Sequence, residues 1–569
     1  MSRFNTRTAR PTGVSPVTTT GQTTPTFEGG TGFLRDEKSE LFLLAVANMV
    51  GQDTYYETGG QRDDRYTQLV RQLAVADPEW TAGLLGWLRG DGNMRTASLV
   101  GAAEYVKARL DAAGTRERRI HEQGADKAAT VWSGDSLDYS AAANRRVIAS
   151  VLQRPDEPGE LLAYWTSRYG RNLPKPVKRG IADAIQRMYN ERALLKYDTD
   201  SKGYRFGDVL ELVHASPTAD EAWQGDLFRH AIDRRHGRDS PIPHTLGMLR
   251  QRDRLMSIPA PERADALHSW GGNAADRLAD GGMTWEALAG WLQGPMNRTA
   301  WEAVIPSMGL MALCRNLRNF DEAGVSDEVA ETVAARIGDP AEVARSRMFP
   351  FRFWAAYKHA PSLRWAHALE KALNASLSNV PALSGRTLIL IDRSPSMFPG
   401  YGFSTPNKSD ITLAEQAAVF GAALAIRASD PTLVEFGMRS NPVPVPKGGS
   451  VMRLIEKFGQ IDGTDIPSAV KAHYAGHDRV VIVTDEQTRP GWLPSNAHGW
   501  GGMQETQIDD LIPKHVPVYM WNMAGYKAGA MPSGSGNRHA MGGLTDSAFR
   551  MIPMLDAGRN ASWPWEKRG

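Results

Sequence analysis

The apolar pattern changes character near Asn374, and this change limits the fold more than any other feature of the 569 residues. Before it, from about residue 33 to 375, apolar side chains recur at helical spacing and strand-like alternation is scarce. After it, short apolar runs alternate with amphipathic segments. Strands are expected at RTLILID (Arg386–Asp392), Thr432–Phe436, RVVIVTD (Arg479–Asp485) and VPVYMWN (Val516–Asn522). Helices are expected at Leu413–Ala428, Val451–Phe458, Ile466–Tyr474 and Asp546–Leu555. Strands alternating with helices predict a doubly wound, mostly parallel sheet. The expected fold class is therefore multidomain: an all-α helical-repeat part over residues 33–375 and an α/β doubly wound part over 384–569. The join falls at Leu377–Ser384, a short connection with several small residues.

In the first part the spacing predicts helices over Glu37–Val50, Thr67–Val75, Trp80–Leu88, Thr96–Leu110, Pro176–Leu195 and Ala219–Arg235. It predicts others over Pro261–His268, Trp285–Trp291, Ala300–Asn316 and Asp327–Arg336, with Pro and Gly in the gaps. EWTAGLLGWLRG (Glu79–Gly90) and TWEALAGWLQG (Thr284–Gly294) share an ending. They read either as a structural repeat of the solenoid kind or as two amphipathic helices that end alike. Ala113–Asp138 is polar with scattered glycines and reads as an insertion loop. The first 32 residues, rich in Thr, Gly and Pro, read as a flexible tail.

Composition narrows the function class. The chain is 41% hydrophobic and 23% charged with net charge +2, so nothing pulls it globally toward nucleic acid. Binding of RNA or DNA has to come from local patches. Cys314 is the single cysteine, which rules out an intrachain disulfide and a Cys-based zinc site. A reducing compartment is the expectation. No apolar run reaches the roughly 18 residues of a membrane helix, and the N-terminus has no signal-peptide core. The expected location is the cytoplasm.

LILIDRSPSM (Leu388–Met397) places Asp392 at a strand end, followed by Ser394 and Ser396. Ligands in open α/β sheets bind beyond the carboxyl ends of the strands. Asp485 ends another strand, and Thr464 lies in a Gly-Thr-Asp loop between them. Asp392, Ser394, Ser396, Thr464 and Asp485 offer oxygens alone, which suits a hard divalent cation, Mg²⁺ first. The plainer alternative is that Asp and Ser cap the following turn. An aspartyl phosphatase would want a second acid at position 394, where Ser stands. A serine hydrolase would want Gly-x-Ser-x-Gly, which is missing around Arg393–Pro395. The chain is therefore not expected to be an enzyme. The oxygen set resembles the metal-ion-dependent adhesion site (MIDAS) of von Willebrand factor A domains.

The densest basic stretch is Ser167–Tyr197. Val177, Ile181, Ala184, Ile185, Met188 and Leu195 form its apolar stripe. Lys175, Lys178 and Arg179 crowd the helix start, where the dipole disfavours cations but where cations and free N–H groups together suit phosphate. Arg168, Arg171 and Arg187 flank them, with Tyr164, Trp165 and Tyr169 as rings for stacked bases. A solvated basic face is the alternative. Arg234, Arg235 and His236 end a helix, where capping accounts for them without a ligand.

These residues also resemble a known family. Tyr164–Pro217, with GIADAIQRMYNE and FGDVLELVHASP, is similar to the TROVE module of the Ro ribonucleoproteins. So are TYYETGGQ (Thr54–Gln61), WEAVIPSMGLMALCRNLRNF (Trp301–Phe320) and ARSRMFPFRFWAAYKHA (Ala344–Ala360). A von Willebrand factor A domain follows the module in that family, as the pattern suggests here. The resemblance implies a HEAT-like helical ring closed by contact with that domain. It implies binding of small non-coding Y-like RNAs on a basic outer surface and of single-stranded ends of misfolded RNAs in the hole. Family members serve RNA quality control or processing, in bacteria with an exoribonuclease reached through the RNA. Carried over by position, Lys175, Lys178, Arg179 and Arg187 lie in the RNA-contacting helix, His214 matches a family histidine, and Arg315 with Asn316 line the hole. There are departures: YRFGD (Tyr204–Asp208) lacks the family's His and Lys, and DRSPS stands for Asp-Val-Ser-Gly-Ser. The alternative function is a metal-dependent protein-adhesion module on a helical scaffold, with a partner's acidic residue completing the cation at Asp392.

Overall fold

The computed structural model describes residues 13–47, 51–123, 141–360, 362–378, 380–398, 411–447, 449–494, 503–543 and 549–566. The chain forms two compact units: residues 70–337, and residues 1–69 together with 338–569. The described part of the first unit is helical, and the second is built on a sheet.

In the helical unit, local capping sets the helix boundaries. The Asp77 carboxylate accepts from the Trp80 N–H at 3.1 Å, and Pro78 occupies the first turn of helix Pro78–Arg89. Helix Arg95–Gln123 takes in the first part of the stretch expected as an insertion loop; residues 124–138 of that stretch lie outside the described residues. The single helix expected over Pro176–Leu195 is two, Lys175–Met188 and Glu191–Tyr197. Two features make the break. Tyr189 leaves helical conformation to stack on Phe206, with ring centroids 3.8 Å apart. Asn190 then caps the next helix through the Ala193 N–H at 2.8 Å. The helix expected over Ala300–Asn316 is also divided, into Arg298–Val304, a 3-10 turn Ile305–Ser307 and Leu310–Glu322. Pro306 and Gly309 fall at that interruption, as expected of residues that cannot or do not sustain a helix.

The two segments with matching endings fold as helices Pro78–Arg89 and Trp285–Leu292. Their tryptophans are buried in opposite order. Trp80 and Trp291 are buried, whereas Trp87 and Trp285 are half-buried. The shared ending therefore does not carry one repeated packing.

The sheet unit contains β1 (Thr19–Pro25), β2 (Thr31–Arg35), β3 (Leu383–Asp392), β4 (Ala428–Phe436), β5 (Ser440–Pro442) and β6 (Arg479–Thr484). It continues with β7 (Gly491–Pro494), β8 (Met503–Thr506), β9 (Val518–Asn522), β10 (Ala528–Gly529) and β11 (Arg538–Gly542). The main sheet runs β11-β9-β6-β3-β4-β5, parallel except for β5. Thr387–Asp392 and all of β6 are buried, as central parallel strands covered on both faces must be. Leu388, Leu390, Val480, Ile482, Val518 and Met520 pack on Ile466 and Val470 of helix Ile466–His473. The expected α/β class holds. β11 was not anticipated, because RHAMG is short and carries two polar residues. All five of its residues are buried.

The N-terminal residues expected as a tail are ordered from residue 13. β1 and β2 form an antiparallel hairpin, and β2 adds β10 from nearly five hundred residues later. β1 is TTGQTTP with no large apolar residue, and β2 is TGFLR with its two large apolar residues adjacent, so neither shows alternation, and the partner strand is only two residues long. The closing helix expected over Asp546–Leu555 is Met551–Asp556; residues 546–548, like Val50 of the first expected helix, lie outside the described residues.

Candidate cation centre and nucleic-acid interface

β3 and β6 are neighbouring parallel strands, with Ile391 opposite Val483. Asp392 and Asp485 therefore leave the sheet side by side at its carboxyl edge. Asp392, Ser394, Ser396, Thr464 and Asp485 are each 6% exposed or less. Asp392 accepts from the Ser394 N–H at 2.9 Å and from the Thr484 hydroxyl at 2.5 Å. The Ser394 and Ser396 hydroxyls lie 3.2 Å apart. Asp485 Oδ1 accepts from the Gln487 N–H at 3.0 Å, while its buried Oδ2 has no partner.

Electrostatics makes the pair unusual. Burial raises the Asp392 carboxyl, against the Ser394 and Thr484 donors that favour its charge. Burial and the nearby Asp392 push Asp485 up to about 8, with the Ser396 hydroxyl acting the other way. The adjacent Arg393 favours the charged form of Asp392 through space but forms no ion pair with either carboxyl. The Arg393 guanidinium donates to the Gly459 and Ala414 carbonyls at 2.5 and 2.6 Å and sits over the Phe398 and Phe458 rings. Two mutually repelling buried carboxyls, an orphaned oxygen and nearby hydroxyls form an oxygen set that could hold a hard cation. Among the described residues no group of three or more His, Cys, Asp or Glu that could hold a metal is found, here or elsewhere, so the candidate set rests on two carboxylates and hydroxyls. Thr484 was missed in the sequence, where it reads only as the last residue of a buried strand.

Capping does account for part of this loop, since the Ser394 N–H on Asp392 is an ordinary local turn bond. It leaves Asp485 Oδ2 unexplained.

In the helical unit, several arginines near the basic stretch are spent on acids. Arg145 pairs with Asp183, Arg154 with Asp156 and Arg205 with Asp198, at 2.5, 2.5 and 2.8 Å. Arg234, Arg235 and His236 lie 3.7, 2.7 and 2.9 Å from Asp198, Asp208 and Glu211. Other cations there, Arg146, Arg187, Arg192 and Lys196 among them, have no acid partner among the described residues, and four more, Arg171, Lys175, Lys178 and Arg179, gather at one helix start. None of these four has a carboxylate within 4 Å among the described residues. Arg171, Lys175 and Arg179 are exposed and Lys178 is half-buried. Three of them occupy the first turns of helix Lys175–Met188, where Pro174 provides no side-chain cap.

The other expected contacts divide. Arg168 is exposed, with Nε 3.4 Å from Glu104 Oε1. Arg187 is exposed, yet it donates to the Leu152 and Ala149 carbonyls at 2.6 and 3.3 Å and so caps helix Ala141–Val151. His214 is an exposed left-handed residue closing helix Phe206–Val213. Arg315 is exposed, whereas Asn316 faces the interior. The Asn316 amide donates to the Ala312 carbonyl and its Oδ1 accepts from Asn319, both at 2.8 Å, so as placed it holds its helix rather than facing solvent.

The rings expected to stack on bases are engaged elsewhere. Trp165 is buried. Tyr164 and Tyr169 donate to the buried Glu104 at 2.6 and 2.5 Å. Burial and that carboxylate push the Tyr169 hydroxyl up to about 12.

Comparison with known proteins agrees with this architecture. Residues 282–363 match the TROVE domain family model. That segment contains the Trp301–Phe320 and Ala344–Ala360 stretches; Thr54–Gln61 and Tyr164–Pro217 lie outside it. No match is found among curated proteins. Among solved structures, the crystal structure of the Deinococcus radiodurans Ro (Rsr) protein superposes with a TM-score of 0.56 at 17% identity. The alignment covers 92% of this chain and 100% of that one. The likeness is one of fold, and it extends over both the helical part and the mostly parallel sheet of this chain. The chain thus carries a segment, residues 282–363, that matches the TROVE domain family model, within a fold like that of the Ro (Rsr) protein.

Proposed function

We propose that this protein is a non-catalytic RNA-binding scaffold. It takes small, structured Y-like RNAs on the basic surface around Arg171–Arg179 and the unpaired ends of misfolded RNAs near Arg315. One observation carries the reading. Arg171, Lys175, Lys178 and Arg179 have no acid partner among the described residues and gather at the start of one helix. Unpaired cations at a helix N-terminus repel one another and the dipole, an arrangement an incoming phosphate relieves. Base recognition falls to residues other than Trp165, Tyr164 and Tyr169. The RNA-binding module is residues 33–375 and the von Willebrand factor A domain 384–569, in a cytoplasmic protein that serves RNA quality control or processing. An exoribonuclease would meet it through the RNA. No helix among the described residues is long and apolar enough to cross a membrane.

The second reading, a cation-dependent adhesion module, is favoured by the orphaned Asp485 Oδ2. Asp392, Ser394, Ser396, Thr464 and Asp485 would hold Mg²⁺, which would supply a positive centre for a partner's carboxylate. Crosslinking in cells followed by sequencing separates the readings. Enriched short structured RNAs support the scaffold. Background RNA with a Mg²⁺-dependent protein partner supports adhesion instead.

A further inference from the structure

The loop that follows Asp485 is held, residue by residue, by a segment more than 450 positions away. The Arg35 guanidinium donates to Glu486 at 2.5 Å in a fully buried pair. The Gln487 side-chain carbonyl accepts the Phe27 N–H at 3.0 Å. The Thr488 carbonyl accepts both the Thr26 hydroxyl at 2.7 Å and the Gly30 N–H at 3.2 Å. The Arg489 guanidinium donates to Glu28 at 2.9 Å. Four consecutive loop residues are thus matched by the β1–β2 hairpin and its turn. The approach is tight: a Cβ at Gly30 would come within 2.5 Å of the Thr488 carbonyl oxygen.

The same loop is tied on its other side to the candidate cation oxygens. Thr464 accepts the Arg489 N–H through its carbonyl at 2.9 Å. Asp485 Oδ1 accepts the Gln487 N–H. Glu486, between them, has a left-handed φ of 67°, a conformation a non-glycine residue keeps only when its surroundings fix it. They do: its carboxylate accepts from Arg35, from the Asn522 amide at 2.7 Å and from the Ala530 N–H at 2.8 Å. Glu28, at the hairpin turn, also accepts the Tyr56 hydroxyl at 2.6 Å, and Phe27 stacks on the Tyr56 ring at 4.9 Å.

From this geometry we infer that residues 26–35 are a clasp on the cation site, so that seating the hairpin and filling the site are one coupled event. The inference rests on the reading of Asp392 and Asp485 as cation ligands. A bound cation fixes Asp485 and Thr464, hence the loop, hence the surface on which the hairpin closes. Coupling of two binding events is reciprocal, so loosening the hairpin must weaken the cation.

The test uses the full chain and Mg²⁺ alone. Calorimetry compares the wild type with the double variant Thr26→Val/Glu28→Gln, which removes two hairpin contacts and leaves every candidate ligand in place. Hydrogen exchange of amides 26–31 in the wild type, with and without Mg²⁺, needs no variant and so stands if the double variant misfolds. The clasp predicts roughly tenfold weaker Mg²⁺ binding in the variant, about 1.4 kcal/mol, and severalfold slower exchange when Mg²⁺ is bound. Equal affinity in both proteins with unchanged exchange overturns the clasp and leaves the cation site standing. Failure of Mg²⁺ to bind the wild type overturns the cation reading and the clasp with it.

Discussion

Replacing Glu157 with Ala should destabilise the helical unit by about 3–5 kcal/mol, the cost of breaking a buried ion pair from one side. Glu157 is fully buried and accepts from four residues. Arg89 Nη2 reaches it at 2.6 Å and Arg95 Nε at 3.1 Å. The Gln153 and Arg154 N–H groups reach it at 2.6 and 2.8 Å. The alanine variant leaves Arg89, itself buried, as a cation without its carboxylate, and leaves two backbone donors unpaired. That loss is a large share of the roughly 5–15 kcal/mol that holds a typical domain together. A glutamine side chain in the same place would keep the shape and one acceptor, so Glu157→Gln should cost less than Glu157→Ala. Urea unfolding followed by circular dichroism reads both. A loss below about 1 kcal/mol in the alanine variant would show that this hub is not the fixed point of the helical packing.

The second large effect concerns the cation. Mg²⁺ at a hundredfold excess over its dissociation constant should stabilise the wild type by about 2.7 kcal/mol, a rise in Tm of roughly 4 °C for a unit of about 300 residues. Asp485→Asn should abolish that rise. It should also raise the Tm of the Mg²⁺-free protein, because it removes an acid that burial and Asp392 keep protonated far above its ordinary range, at a cost to the folded state near neutral pH, and leaves the shape nearly unchanged. The opposite signs with and without Mg²⁺ distinguish a ligand from an ordinary structural aspartate, whose loss lowers Tm in both conditions. An identical Mg²⁺ response in the variant and the wild type would remove Asp485 from the site.

What could be read in the sequence follows the range of the interactions involved. The change of apolar period near Asn374 reports local burial, and the helix Leu363–Ser376 and the strand Leu383–Asp392 fall on either side of it, while the compact units divide elsewhere, at 69/70 and 337/338. The strand-end carboxylates were legible because parallel topology puts ligands at that edge. Nothing local announced the hairpin of residues 19–35, whose partners are β10 and the loop after Asp485. The break at Tyr189–Asn190 was hidden for a similar reason, since it depends on a ring stack with Phe206. Tyr164, Trp165 and Tyr169 show the reverse error. Their spacing beside cations suggested stacking on bases, but the buried Glu104 on a different helix takes both tyrosine hydroxyls. Asn316, next to the exposed Arg315, faces inward because one helical step turns the side chain about 100°.

The unmatched cations of helix Lys175–Met188 carry the account, and a salt titration of RNA binding tests them most directly. Affinity for a short structured RNA is measured by filter binding across a range of salt, for the wild type and for Lys175→Ala/Lys178→Ala/Arg179→Ala. Each phosphate contact contributes a little under one to the slope of log affinity against log salt. The triple variant should therefore bind more weakly at low salt, with a slope shallower by about 2–3. Unchanged affinity at low salt, with an unchanged slope, would contradict the assignment of the RNA to this helix.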